Sequence, residues 1–192
     1  MKIETIEIAG FAGALTALRL PFGKEERSDI HAKIDPFIAI DNITKEETKY
    51  VAWHGHVNIH NKDLALMQTL VKRGDEHAKV VRGINVWAKI TAPVYWWAEE
   101  ETYRAGHERL ASESTMHIDC KGLSGKELQE AKAAIPMGKE LTKVDMFSYQ
   151  TLRRIVAQRH NHRLPEWHTF IDWVRTLPFA EELIFVGLET EE

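Results

Sequence analysis

The segment KVVRGINVWAKITAPVYWW, Lys79 to Trp97, constrains the fold more than any other part of the chain. β-Branched and aromatic residues dominate it, a composition that suits a pleated, half-buried strand. Pro93 has no N–H to give to a sheet ladder, so the strand must bend or reach an edge there. A strand of this kind needs helices or further strands against its apolar face.

The flanking sequence supplies both. GFAGALTALRLPFG carries Phe11, Leu15 and Leu18 at helical spacing and is stopped by Pro21 and Gly23. NKDLALMQTLVKRG reads as a helix with Asn61 or Asp63 near its N-cap, Leu66, Leu70 and Val71 inward, and Gly74 past its end. The stretch from about Trp96 to Leu110 is read as a further helix. SGKELQEAKAAI opens with a Ser124–Glu127 capping box. SYQTLRRIVAQRH places Leu152, Ile155 and Val156 on one stripe, with Arg153, Arg154 and Arg159 around it. Pro165 opens PEWHTFIDWVRTL, whose Trp167, Phe170, Ile171 and Val174 point inward and whose Arg175 turns to solvent. MKIETIEIAG and YVAWHGHVNIH read as strands, and EELIFVG as a closing one. Residues 24–49 are charged and irregular and read as a mobile loop. Without a repeat or a Pro/Gly/Ser linker, residues 1–192 are expected to form a single α+β domain, a mixed sheet with packed helices.

Charge and composition narrow the function. The formal charge is −4 over 192 residues, which argues against a nucleic-acid partner. No apolar run approaches the roughly 20 residues of a membrane span. Glu4 and Glu7 interrupt any signal-peptide core. Cys120 is the one cysteine, so an intramolecular disulfide and a Cys-rich zinc site are excluded, and a cytoplasmic setting is expected.

Most familiar chemical motifs are missing: no phosphate loop, no dinucleotide fingerprint and no nucleophile elbow. The letters HNH in QRHNHRLPEW lack the separated histidines of a nuclease site. His54, His56 and His60 share a predicted strand face, but three such positions span about 20 Å, too far for one ion. No metal is expected, and Cys120 is read as an inert thiol. What stands out is YRAGHERLASESTMH, Tyr103 to His117. Arg104, His107, Glu108, Arg109, Ser112, Glu113, Ser114 and Thr115 follow directly on an aromatic segment. Guanidinium groups bind phosphates bidentately, and Ser, Thr and Glu hydrogen-bond sugars and bases. A salt-bridged surface is the other reading of the same residues.

The order of elements resembles the flavin-dependent thymidylate synthases. DLALMQTLVKRGDEH is similar to that family's first helix and following segment, and APVYWW to its Pro-aromatic step. YRAGHERLASEST sits where the family carries Arg-His-Arg-x-x-Ser-x-Asn-Glu-x-Ser-x-Arg, and TLRRIVAQRHNHRLPEW is similar to a later helix pair. The likeness spans roughly residues 60–178. Arg104 matches the first Arg of the signature, while Ala105 and Gly106 replace the His-Arg that helps to hold flavin. Ser112-Glu113-Ser114 approximates the Ser-x-Asn-Glu-x-Ser part, and Met116 stands near the last Arg. Arg159 matches a nucleotide-binding Arg, with Gln158 replacing the Leu before it.

The resemblance implies that family's fold, a dimer or tetramer, and a nucleotide pocket between subunits, with no flavin cofactor. The implied pocket residues are Arg104, His107, Glu108, Arg109, Ser112, Glu113, Ser114 and Arg159. Three functions follow: holding, even sequestering, a small phosphorylated nucleotide, as a virus or mobile element would do with a signalling nucleotide; an enzyme acting on a pyrimidine nucleotide, with His107 or Glu108 as acid or base; or a structural, interacting protein.

Overall fold

The computed structural model describes residues 1–23, 59 and 61–188. Four strands form an antiparallel sheet in the order β1-β2-β4-β3. They are β1 (Lys2–Ala9), β2 (Asn85–Pro93), β3 (His107–Ser112) and β4 (Glu140–Ser148). Apart from Ile59, the predicted strand over 50–60 lies outside the described residues, as does the loop over 24–49.

Of the stretch read as strand, Lys79 to Trp97, only Asn85–Pro93 pairs in the sheet; Ala78–Gly83 forms a 3-10 helix before it. Val86, Ala88, Ile90 and Ala92 alternate onto the buried face, the period of two that a half-covered sheet imposes. After Pro93 the chain leaves the sheet and turns at once into α3 (Val94–Glu100). α3 brings Trp96 and Trp97 back against the covered face. Helices α1 (Phe11–Arg19), α2 (Asn61–Lys72), α6 (Tyr149–Arg159) and α7 (Pro165–Arg175) complete the layer. α7 contributes Trp167, Phe170, Ile171, Trp173 and Val174 to the core. Trp96 meets both Trp97 and Trp167 at 4.9 Å between ring centroids, an arrangement that gains beyond simple area burial. The α+β class read from the sequence is the observed one.

Several local readings differ from the structure. The helix expected from about Trp96 to Leu110 ends at Glu100, and the chain re-enters the sheet as β3. Gly106, at φ +73, makes that turn. The central strand β4 has no counterpart among the sequence readings, because Lys143 and Asp145 occupy its inward positions and erase the apolar alternation. EELIFVG closes as a wide helical turn over Glu181–Phe185, not as a strand. Its carbonyls have a different acceptor role: Arg153 Nη1 donates to Ile184 O at 2.6 Å and Val186 O at 2.7 Å. Ser124 does precede α5 (Gly125–Ala133), but its side chain makes no capping hydrogen bond. Ser148 is the side chain that caps, accepting from the backbone N–H of Thr151 at the start of α6.

Candidate functional site

The register of the sheet converts an apolar face into a charged one at its edge. Across the covered face Val86 pairs with Phe147, and Phe147 with His107. In the next row Ala88 pairs with Asp145, and Asp145 with Arg109. His107 and Arg109 therefore point inward from β3, while Glu108 between them points outward and is exposed.

The C-terminus of α3 lies over this edge with three consecutive carboxylates. A helix C-terminus carries partial negative charge, so Glu99, Glu100 and Glu101 need cations nearby. Each finds its own. Arg159 Nη1 donates to Glu99 Oε2 at 2.9 Å, and the indole N–H of Trp167 donates to the same oxygen at 2.9 Å. Arg109 Nη2 donates to Glu100 Oε2 at 2.8 Å and Nη1 to Glu101 Oε1 at 2.7 Å. Lys143 Nζ donates to Glu101 Oε1 at 3.0 Å and stands 4.3 Å from the centroid of the Trp97 ring. Arg109 also donates from Nε to Asp145 Oδ1 at 3.2 Å.

His107 sits in the middle of this group. The carbonyl of Tyr103 accepts a hydrogen bond from Nδ1 at 2.8 Å; a carbonyl can only accept, so Nδ1 carries a proton. Nε2 stands 3.2 Å from Glu100 Oε1 and 3.6 Å from Asp145 Oδ1. These contacts are close but misaligned, and Nε2 and Glu100 Oε1 are buried without a hydrogen-bond partner among the described residues. Burial alone would lower the imidazole pKa, yet Asp145, Glu100 and the Tyr103 carbonyl outweigh it and raise the value. Burial pushes the Glu100 carboxyl up to about 7, with Asp145 adding to the rise and His107 and Arg109 opposing it.

The remaining predicted site residues divide. Arg104 is exposed in the turn before β3. Ser112 and Glu113 are exposed at the strand end, where Glu113 Oε2 accepts from the backbone N–H of Thr142 at 2.7 Å. Ser114 stands at the N-cap of the short helix α4 (Thr115–Ile118). Arg159 stacks on Trp167, 4.7 Å from the ring centroid, and donates from Nε to the Tyr103 hydroxyl at 2.7 Å. The structure thus joins His107 to Arg109 through Glu100 and Asp145, sets Arg159 against Glu99, Tyr103 and Trp167, and leaves Arg104 exposed. The acidic run that engages Arg109 and Arg159 stands in the sequence as AEEE, but the helix read from about Trp96 to Leu110 placed it inside an element, and only the end of α3 at Glu100 sets it against β3.

A second polar region lies at the end of the sheet where β4 passes into α6. Here a cleft of about 320 Å³ is lined by Arg82, Asn85, Gly106, Gln150 and Arg154 among others. Thr151 Oγ1 donates to Ala105 O at 2.6 Å, and the backbone N–H of Ser148 donates to Gly106 O at 2.8 Å. The turn Arg104–Gly106 is thereby pinned over the N-terminus of α6. Arg82 donates from Nε to Gln150, and Arg154 binds Asp75 through Nε and Nη2. Among the described residues both terminal nitrogens of Arg82 and Nη1 of Arg154 take no acceptor. Free guanidinium N–H groups beside a helix N-terminus make a cationic cleft suited to a phosphate.

No protein-family profile and no curated protein sequence matches the chain. Solved structures do. The thymidylate synthase ThyX of Helicobacter pylori, solved with FAD and dUMP, matches with a TM-score of 0.67 at 12% identity, over 98% of this chain and 100% of that one. The fold is that of ThyX. The UMP/dUMP methylase PolB of Streptomyces cacaoi, bound with 5-Br dUMP, matches with a TM-score of 0.58 at 10% identity, over 98% of this chain and 93% of that one. No helix among the described residues is long and apolar enough to cross a membrane.

Proposed function

We propose that this ThyX-like chain is a nucleotide-binding protein that holds a small phosphorylated nucleotide without flavin chemistry, in a pocket completed by a second copy of itself. The observation that carries the reading is the shared fold across nearly the whole chain with two proteins that hold pyrimidine nucleotides. The cationic cleft gives the phosphate a place: among the described residues Arg82 and Arg154 have donors without an acceptor, and Ala105 and Gly106 line it. Ala105 and Gly106 stand where the family carries His-Arg, which removes two donors for a flavin. A protein that binds a nucleotide and lacks the redox partner holds its ligand, and sequestration is the role that fits.

Mass spectrometry of small molecules released on denaturing the purified protein tests this. A pyrimidine nucleotide without FAD or FMN is the expected result. A stoichiometric flavin, seen by its visible absorbance, would refute the flavin-free reading.

One observation favours an enzyme acting on a pyrimidine nucleotide instead. Glu100, pushed up to about 7, exchanges its proton near neutral pH beside His107, the condition general acid–base work requires. Turnover of dUMP that disappears in Glu100→Gln would favour that reading over simple holding.

A further inference from the structure

We propose that Glu100, His107 and Asp145 bind one divalent transition-metal ion, of the Zn²⁺, Co²⁺ or Mn²⁺ class. The three residues come from α3, β3 and β4, so no sequence spacing announces them. Each offers one ligand atom, and these atoms all lie within 4.8 Å of one another. Three facts about those atoms argue for a cation at their centre.

First, these buried polar atoms are left facing one another without hydrogen bonds. Glu100 Oε1, His107 Nε2 and Asp145 Oδ2 are buried without a hydrogen-bond partner among the described residues. The side chains of Glu100 and Asp145 are 0% exposed and that of His107 is 6% exposed. Buried polar atoms left unpaired are costly, and several facing one another is worse.

Second, the imidazole is prepared as a ligand. Its Nδ1–H is held by the Tyr103 carbonyl at 2.8 Å, the outer contact that directs the lone pair of Nε2 toward a metal. The ring is fixed flat on Phe147 at 4.7 Å. Nε2 stands 3.2 Å from Glu100 Oε1, close to the roughly 3.3 Å between donors on a tetrahedral ion with bonds of about 2.0 Å.

Third, Arg109 holds both carboxylates. It takes Oε2 of Glu100 and Oδ1 of Asp145. Glu100 Oε1 is left facing His107 Nε2, while at Asp145 the oxygen near Nε2, at 3.6 Å, is the Oδ1 that Arg109 also reaches, so an ion would share that carboxylate with the guanidinium. One nitrogen and two oxygen ligands suit zinc, cobalt, manganese or iron, whereas calcium and magnesium prefer oxygen alone. Arg109, which contacts both carboxylates, also pairs with Glu101 Oε1 at 2.7 Å. An imidazolium at His107 would balance the same charges, so the experiment must separate an ion from a proton.

The full chain, stripped with a chelator and dialysed against CoCl₂, is measured for bound cobalt and for visible absorption. One Co²⁺ per chain, retained through gel filtration, with the ligand-field bands of a low-coordinate site, is expected. Glu100→Gln and Asp145→Asn keep side-chain shape and should weaken uptake at least about tenfold; His117→Ala, at an exposed histidine, should leave it unchanged. Cobalt below stoichiometric amounts, equal uptake by the folded Gln and Asn variants, or equal loss in His117→Ala overturns the site. If those variants fail to fold, nitrogen NMR of the histidines in the unaltered protein decides: Zn²⁺ should shift His107 Nε2, and a doubly protonated ring indifferent to Zn²⁺ overturns the proposal.

Discussion

His107 lies flat on Phe147, with ring centroids 4.7 Å apart and planes 3° from parallel. The two residues are cross-strand partners on the covered face of the sheet. Phe147 in turn meets Phe170 of α7 edge-on at 5.8 Å. One fully buried ring therefore joins the polar group at the sheet edge to the aromatic core. Phe147→Ala should cost about 3–5 kcal/mol, as large-to-small changes at such positions do. Phe147→Leu fills most of the space and should cost clearly less. Urea denaturation of both variants checks this, and equal losses would show that ring volume is not what matters there.

Gly106→Ala is expected to be among the most damaging small substitutions. A Cβ at that position would stand 2.6 Å from both Ser148 Oγ and Thr151 Oγ1, at the cap of α6. The left-handed backbone, φ +73, adds about 1–3 kcal/mol of strain by itself. Gly122→Ala is the comparison, since it has a similar φ of +81 and nothing within 4 Å. The difference between the two midpoints isolates the contact with α6, and identical midpoints would argue that the turn is not pinned there.

In the presence of a chelator, stability should fall as pH rises through neutrality. Glu100 is raised by burial from 4.5 to about 7, and His107 is raised above 6.5 because the carboxylates and the Tyr103 carbonyl outweigh its burial. A group that holds its proton more tightly when folded stabilises below its unfolded pKa, and that contribution is lost as pH passes its folded value. Both groups act in the same direction, so a loss on the order of 2 kcal/mol is expected between about pH 5 and about pH 8. Glu100→Gln should flatten the slope. Stability that rises over the same interval would mean that Glu100 is ionised well below neutrality.

Arg159 is tied into the fold more firmly than a cleft-edge residue would be. Its guanidinium binds Glu99 and the Tyr103 hydroxyl and stacks on Trp167. Arg159→Ala leaves Glu99 short of a cation and should cost about 1–3 kcal/mol. Arg175, 43% exposed and paired with Glu181, should cost less than about 1 kcal/mol on the same change. Thermal unfolding compares them, and indistinguishable midpoints would return Arg159 to the role of a free ligand-binding residue.

Much of the helical layer was legible in the sequence, and much of the sheet edge was not. α7 was readable because Trp167, Phe170, Ile171 and Val174 repeat at helical spacing and are all buried. β2 was readable from its β-branched residues and Pro93. β4 was not, because Lys143 and Asp145 point into the covered face and sequence periodicity cannot distinguish a buried ion pair from a solvated one. The same cause hid β3, whose inward residues are His107 and Arg109. The cluster Tyr103–His117 was recognised as unusual, but its partners Glu100 and Asp145 come from other elements that only the fold brings near. Gln150 and Arg82 at the cleft belong to that class too.

Titration calorimetry of the full chain with dUMP, UMP and unphosphorylated uridine tests the nucleotide-binding account most directly. The nucleotides should bind below about 100 μM, about 5.5 kcal/mol, with uridine at least about tenfold weaker. Arg154→Ala should weaken nucleotide binding by one to two decades, since a charge-assisted hydrogen bond contributes about 1.5–3 kcal/mol, while Arg175→Ala should stay within about twofold. Uridine binding as tightly as the nucleotides, no nucleotide binding below about 1 mM, or Arg154→Ala behaving like Arg175→Ala would contradict it.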